Sequence, residues 1–216
     1  IREDRTPGKI LTAQAFDNAI TVDMALGGST NTVLHLTALA NEAGVPLSLD
    51  RFDQISRLTP HLGDLRPGGS YFLEDLHLAG GIPAVLQRLG NRVQTSLHVS
   101  GLDMREIARS ARPEGDQVVR TMEAPLRPEG GIAVLKGNLA PEGAIVKQSA
   151  VSEDMLRFEG NARVFDCEEE AQKASLSGNI EEGDAVVIRY EGPRGGPGMR
   201  EMLAPTSAIM GMGLKR

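Results

Sequence analysis

Near residues 112–116 the hydrophobic pattern of this chain changes period, and that change restricts the folds open to it. Upstream the spacing is helical. Thr12 is a capping residue ahead of Phe16, Ala19, Ile20 and Met24, and Gly27-Gly28 stops the run. Ser29 or Thr30 can cap a second helix through Val33, Leu36 and Ala40, ending before Gly44. Asp50 is placed to cap a third, with Phe52 and Ile55 on one face. Pro83 suits a first helical turn ahead of Ala84 to Leu89, and Asp103 a helix reaching Ala111. Between them Val93 to Val99 alternates like a strand.

Downstream the runs are short and β-type: Val118-Val119, Gly131 to Leu135, Ala144 to Val151, Ala162 to Phe165 and Ala185 to Tyr190. One helix interrupts them, with Asp166 and Glu169 in capping-box spacing ahead of Glu170 to Leu176. Several short strands with a single helix suggest a barrel or sandwich, so two domains are expected, residues 1–112 mostly helical and residues 113–216 mostly β. With 25 Gly and 12 Pro among 216 residues and no Trp, the elements are joined by tight turns. The first residue is Ile1, and Gly213-Leu214-Lys215-Arg216 follows an apolar run, so both ends are expected to be cut.

A net charge of −6 argues against a nucleic-acid surface, and no apolar run approaches the roughly 20 residues of a membrane helix. The N-terminus has no signal-peptide character, and one cysteine, Cys167, permits neither a disulfide nor a multi-thiolate metal site within the chain. A reducing cytoplasm fits that usage.

Three segments could carry chemistry. From Gly192 to Gly198 only Arg194 is neither Gly nor Pro, and such a loop can aim backbone N–H groups at an anion. It is neither a P-loop nor a dinucleotide fingerprint, and composition alone favours a tight surface turn. Glu201 follows and can offer a hard oxygen to Mg²⁺, or serve as an ordinary helix N-terminal glutamate. Gly28, Ser29, Thr30, Asn31 and Thr32 open a helix and can hydrogen-bond a carboxylate, or merely cap. His35, His61 and His77 lack metal-site spacing and read as structural, and Cys167 lies at a strand-to-helix corner with no base paired to it.

Four segments, in order along nearly the whole chain, resemble the dihydroxy-acid and 6-phosphogluconate dehydratase family. They are Ala19 to Thr32 (AITVDMALGGSTNT), Glu74 to Pro83 (EDLHLAGGIP), Gly137 to Gly143 (GNLAPEG) and Arg189-Tyr190-Glu191-Gly192-Pro193 through Gly198-Met199-Arg200-Glu201-Met202-Leu203. The resemblance implies an α/β fold: the helical end of an α/β/α N-terminal domain, then a swivelling β-barrel domain truncated at its end. It implies a lyase that removes water from a 2,3-dihydroxy acid to give a 2-keto acid, usually as a homodimer. It places Glu201 on a magnesium-ligating, catalytic glutamate, and Gly195, Gly196, Gly198 and Met199 beside the substrate. Ser29, Thr30 and Asn31 fall on a signature segment near the active site.

It also implies a 2Fe–2S cluster whose cysteines lie upstream of this chain, with none of its ligands here and Cys167 matching none of them. The chemistry implied is loss of the C2 proton beside a Mg²⁺-bound carboxylate and departure of the C3 hydroxyl to iron. The residues after Glu201, including Ala204 to Ile209, are similar to the branched-chain amino-acid enzymes, which points to 2,3-dihydroxyisovalerate and its methylated homologue. A sugar-acid dehydratase, or a non-catalytic module for anion binding or dimerisation, are the alternatives, and the isolated chain is expected to be inactive.

Overall fold

A computed structural model describes residues 3–192 and 202–214. The chain divides into two compact units, Ile1–Val151 and Ser152–Arg216, both mixing helices with short strands. No helix among the described residues is long and apolar enough to cross a membrane.

The first unit begins with helices α1 (Pro7–Ile10), α2 (Ala13–Leu26), α3 (Asn31–Glu42) and α4 (Leu49–Leu58). Then come α5 (Leu73–Leu78), α6 (Gly81–Leu89), α7 (Met104–Ser110) and the antiparallel hairpin of β1 (Ala133–Leu135) and β2 (Ala144–Val146). The Thr12 hydroxyl caps α2 by accepting the Ala15 N–H at 3.3 Å, and Gly27 ends it in the left-handed conformation at φ 60°. Asp103 and Glu106 complete a capping box on α7.

Helix α2 organises two cores. Ile20 and Met24 pack with Val33, Phe52, Ile55, Ile132 and Val134. Ala25, near its end, joins Leu62, Leu76, Val85, Leu86, Leu89 and Val93. Its last carbonyls are taken by loops rather than by water: Met24 accepts the Gly131 N–H at 2.9 Å, and Ala25 accepts those of Leu62 at 2.7 Å and Gly63 at 2.9 Å.

Val93 to Val99 does not form the expected strand. The Asn18 side chain, buried on α2, donates to the Gln94 carbonyl at 2.8 Å and accepts the Gln94 N–H at 2.7 Å, taking the place of a neighbouring strand. Val118-Val119 contributes only an isolated bridge, Val119 to Gly63, and Ala144 to Val151 leaves the sheet after Val146 for a 3-10 turn over Gln148–Ala150. Asp50 does not cap α4: it lies in the first turn, Ser48 holds the N-cap position without a side-chain capping bond, and the Asp50 carboxylate pairs with Lys136 just after β1.

One ion pair ties α4 to α2. Arg51 donates from Nε to Asp17 Oδ1 at 2.8 Å and from Nη2 to Oδ2 at 2.6 Å, and Gln94 donates to Oδ2 at 2.8 Å. Burial alone would raise the Asp17 pKa, but these bonds outweigh it and hold it below the ordinary value. A depressed carboxyl contributes stability that is complete above the unfolded pKa of about 3.9 and lost as pH falls through the lower folded value. Replacing Arg51 by Gln is expected to remove that part of the acid limb, read as a smaller fall in thermal midpoint between pH 5 and pH 2.

In the second unit β3 (Asn161–Phe165) and β4 (Asp184–Ile188) pair in parallel, with α8 (Glu168–Leu176) in the connection, and α9 (Leu203–Gly211) packs on α8. Parallel strands need such a crossover, and the 166–183 segment has room for one. Cys167, not Asp166, is the N-cap residue of α8, because the Asp166 carboxylate is taken by Arg189, with Nε at 2.8 Å. The described strands form two two-stranded sheets and no closed barrel.

Candidate active site

The sequence candidates fall in two places. Glu201, Gly195, Gly196, Gly198 and Met199 lie outside the described residues. The entry to that stretch is fixed: the Glu191 carboxylate accepts the Glu168 N–H at 2.9 Å at the start of α8, and Arg189 lies 5.0 Å from the Tyr190 ring. Tyr190 takes φ 62°, uncommon for a bulky residue, which turns the chain sharply after β4.

Ser29, Thr30 and Asn31 are brought together at the turn between α2 and α3. Thr30 is the N-cap residue of α3 but its side chain makes no capping bond; instead the Ser29 hydroxyl accepts the Asn31 N–H at 3.2 Å. The turn is shaped from below by Asp23. Its backbone carbonyl accepts the Gly28 N–H at 3.0 Å, and its Oδ1 accepts the Thr32 hydroxyl at 3.1 Å. A Cβ on Gly28 would lie 1.9 Å from that same oxygen, so only glycine lets the carboxylate fold back under the turn.

Asp23 Oδ2 is buried and makes no hydrogen bond. Burial raises the Asp23 pKa to about 6, against smaller opposing effects of Thr32, Lys147 and the Ser29 backbone. Lys147, just after β2, is itself lowered by burial and partly restored by Asp23. On the other side of Gly27 the His61 ring is buried with Nδ1 unpartnered, and burial holds it below its ordinary pKa. Ser149 Oγ, also buried without a partner, lies 3.0 Å from where a Gly27 Cβ would be.

Asp23, His61, Lys147 and Ser149 were not legible as a group, although one signal was present. Asp23 sits beside Met24 on the apolar stripe that starts at Phe16, and a carboxylate there is costly unless it has a task. His35 and His77 are exposed on helices. Cys167, half-buried, stands at the N-cap position of α8 without a side-chain capping bond. No group of three or more His, Cys, Asp or Glu among the described residues could hold a metal ion.

Comparison with known proteins bears on the whole chain. Residues 1–107 match the family model for the N-terminal part of dihydroxy-acid/6-phosphogluconate dehydratases, and residues 117–216 match the model for the C-terminal part. The chain is 60% identical to a dihydroxy-acid dehydratase of Thermodesulfovibrio yellowstonii, over 99% of this chain and 39% of that protein. It is 55% identical to one from Syntrophotalea carbinolica, over 99% and 38%, and 56% identical to one from Geobacter metallireducens, over 99% and 39%. It therefore spans about two-fifths of the length of these curated relatives. Two consecutive models of one family, and relatives this close end to end, leave a single assignment: the chain belongs to the dihydroxy-acid/6-phosphogluconate dehydratase family.

Proposed function

We propose that this chain is part of a hydro-lyase that converts 2,3-dihydroxy acids to 2-keto acids, with 2,3-dihydroxyisovalerate and its methylated homologue as substrates in branched-chain amino-acid biosynthesis. The observation that carries the proposal is the 60% identity, across 99% of the chain, to a protein named dihydroxy-acid dehydratase. The Gly28–Asn31 turn and the loop holding Gly195, Gly196, Gly198 and Met199 are assigned to the substrate. Backbone N–H groups and small hydroxyls at a helix start are suited to a carboxylate. Residues 1–112 are assigned to the end of the N-terminal domain and 113–216 to a swivelling β-barrel domain. The working protein is a cytoplasmic homodimer.

Two cofactors belong to the proposal, and this chain can hold little of either. Glu201 is the assigned Mg²⁺ ligand, one of the few carboxylates such an ion takes. Bound there, the ion would supply Lewis acidity to the carboxylate end of the substrate. Cys167, the sole cysteine, cannot by itself hold a 2Fe–2S cluster, which is bound by several thiolates. The remaining ligands of both groups are assigned to residues outside this chain. The 216-residue chain alone is accordingly expected to be colourless and inactive after anaerobic purification, checked by its visible absorption and by keto-acid formation.

The proposal is tested with the full-length parent, prepared without oxygen and with Mg²⁺, on 2,3-dihydroxyisovalerate and a panel of sugar acids. Turnover of dihydroxyisovalerate, falling at least about a hundredfold in Glu201→Gln, is expected. Turnover of sugar acids alone would keep the reaction and discard the substrate; an inactive, cluster-free parent would discard both.

A further inference from the structure

We propose that Asp23 is a positioning residue for the substrate turn, holding Gly28, Ser29, Asn31 and Thr32 in place from the last turn of α2. The inference rests on the assignment of that turn to the substrate. Three observations carry it.

The first is that Asp23 fastens the turn at both ends. Its carbonyl accepts the Gly28 N–H at 3.0 Å and its Oδ1 accepts the Thr32 hydroxyl at 3.1 Å, while the Ser29 backbone adds a smaller interaction with the same carboxylate. Between these anchors the turn closes on itself, the Ser29 hydroxyl accepting the Asn31 N–H. The second is that Gly28 leaves room for nothing but this carboxylate, since a Cβ there would meet Oδ1 at 1.9 Å.

The third is that the arrangement is a poor structural device. The second oxygen, Oδ2, is buried with no hydrogen-bond partner, and such an atom costs stability. A carboxylate placed only to hold the fold would be satisfied, as Asp17 is by Arg51 and Gln94. One that is retained at a cost, directly under a turn assigned to substrate, is placed for what the turn does. Lys147 and the Thr32 hydroxyl face Asp23, and His61, buried beyond Gly27, lies near Lys147 and Arg127.

A residue that only supports the fold and one that positions the turn predict different pairings of effects. The test uses the full-length holoenzyme with 2,3-dihydroxyisovalerate, measuring kcat, KM and thermal midpoint for Asp23→Ala, Asp23→Asn and Thr32→Val, with Ser29→Ala and Asn31→Ala beside them. Asp23→Ala is expected to raise KM at least about tenfold, the loss of a hydrogen bond to a charged group, without lowering the thermal midpoint. Asp23→Asn keeps an acceptor at Oδ1 and is expected to restore KM to within about threefold of wild type. Thr32→Val, which leaves Asp23 in place and removes its partner, should raise KM in the same direction, and it decides the matter if Asp23→Ala fails to fold.

An unchanged KM in Asp23→Ala or Thr32→Val would overturn the proposal, as would a rise in KM that follows a fall in thermal midpoint and is not restored by Asn. The two levels of failure are separable. If Ser29→Ala and Asn31→Ala raise KM while the Asp23 variants do not, only the positioning role fails. If no turn variant moves KM, the assignment of the turn to substrate fails with it.

Discussion

Gly131→Ala is expected to destabilise the protein by about 3 kcal/mol or more, because two backbones cross there with no space for a side chain. A Cβ on Gly131 would sit 2.3 Å from Gly27 Cα and 3.1 Å from Gly27 N. Neither is the mobile end of a side chain, so relief requires one strand of chain to retreat. Retreat would break what the crossing holds: the Gly131 N–H on the Met24 carbonyl at 2.9 Å and the Ser149 N–H on the Gly131 carbonyl at 3.0 Å. Gly27 cannot yield readily, since it closes α2 at φ 60° and packs on the His61 ring. Gly137→Ala is the control. Nothing lies within 4 Å of its Cβ, and its effect is expected within about 0.5 kcal/mol. Denaturant unfolding of both variants checks the pair; equal, small effects would show that the crossing is looser than described.

The second large effect is on the pH dependence of stability. Asp23, with a pKa raised to about 6, binds a proton in the folded state that the unfolded state releases near pH 3.8. Stability must therefore fall as pH rises from about 4 through 6, and the full cost stands above that window. Two pKa units correspond to about 3 kcal/mol. Asp23→Asn is accordingly expected to be more stable than wild type at pH 7.5, by up to about 3 kcal/mol, and to lose that advantage toward pH 4. Stability curves of the two proteins that run parallel from pH 4 to pH 7.5 would refute it. This limb is opposite in sign to the one from Asp17, which loses stability on acidification, so the two can be resolved in one titration.

Much of the fold was legible because its signals are local. The Thr12 cap, the Gly27 stop and the helix that opens at Asp103 all depend on a few neighbouring residues. The errors came where a distant group intervened. Asn18, 76 residues away, replaced the strand neighbour that Val93 to Val99 needed. Arg189, 23 residues away, took Asp166 from its cap. Short β-type runs gave strands but not their partners, so the parallel pairing of β3 with β4 around α8 could not be read.

The candidate site divides in the same way. By itself the sequence determined the turn at Gly28 to Asn31, the Gly-rich loop before Glu201 and the family to which these segments belong, since each is a contiguous stretch whose chemistry follows from its order. Only the tertiary structure decided that the Asp23 carboxylate is largely withdrawn from water beneath that turn, with Lys147 close enough to favour its charge and His61 and Ser149 packed around Gly27. The physical reason is that burial and approach are properties of the packed chain. Desolvation shifts an aspartate only where the packed chain removes water, and nothing in the one-dimensional pattern says that water will be removed.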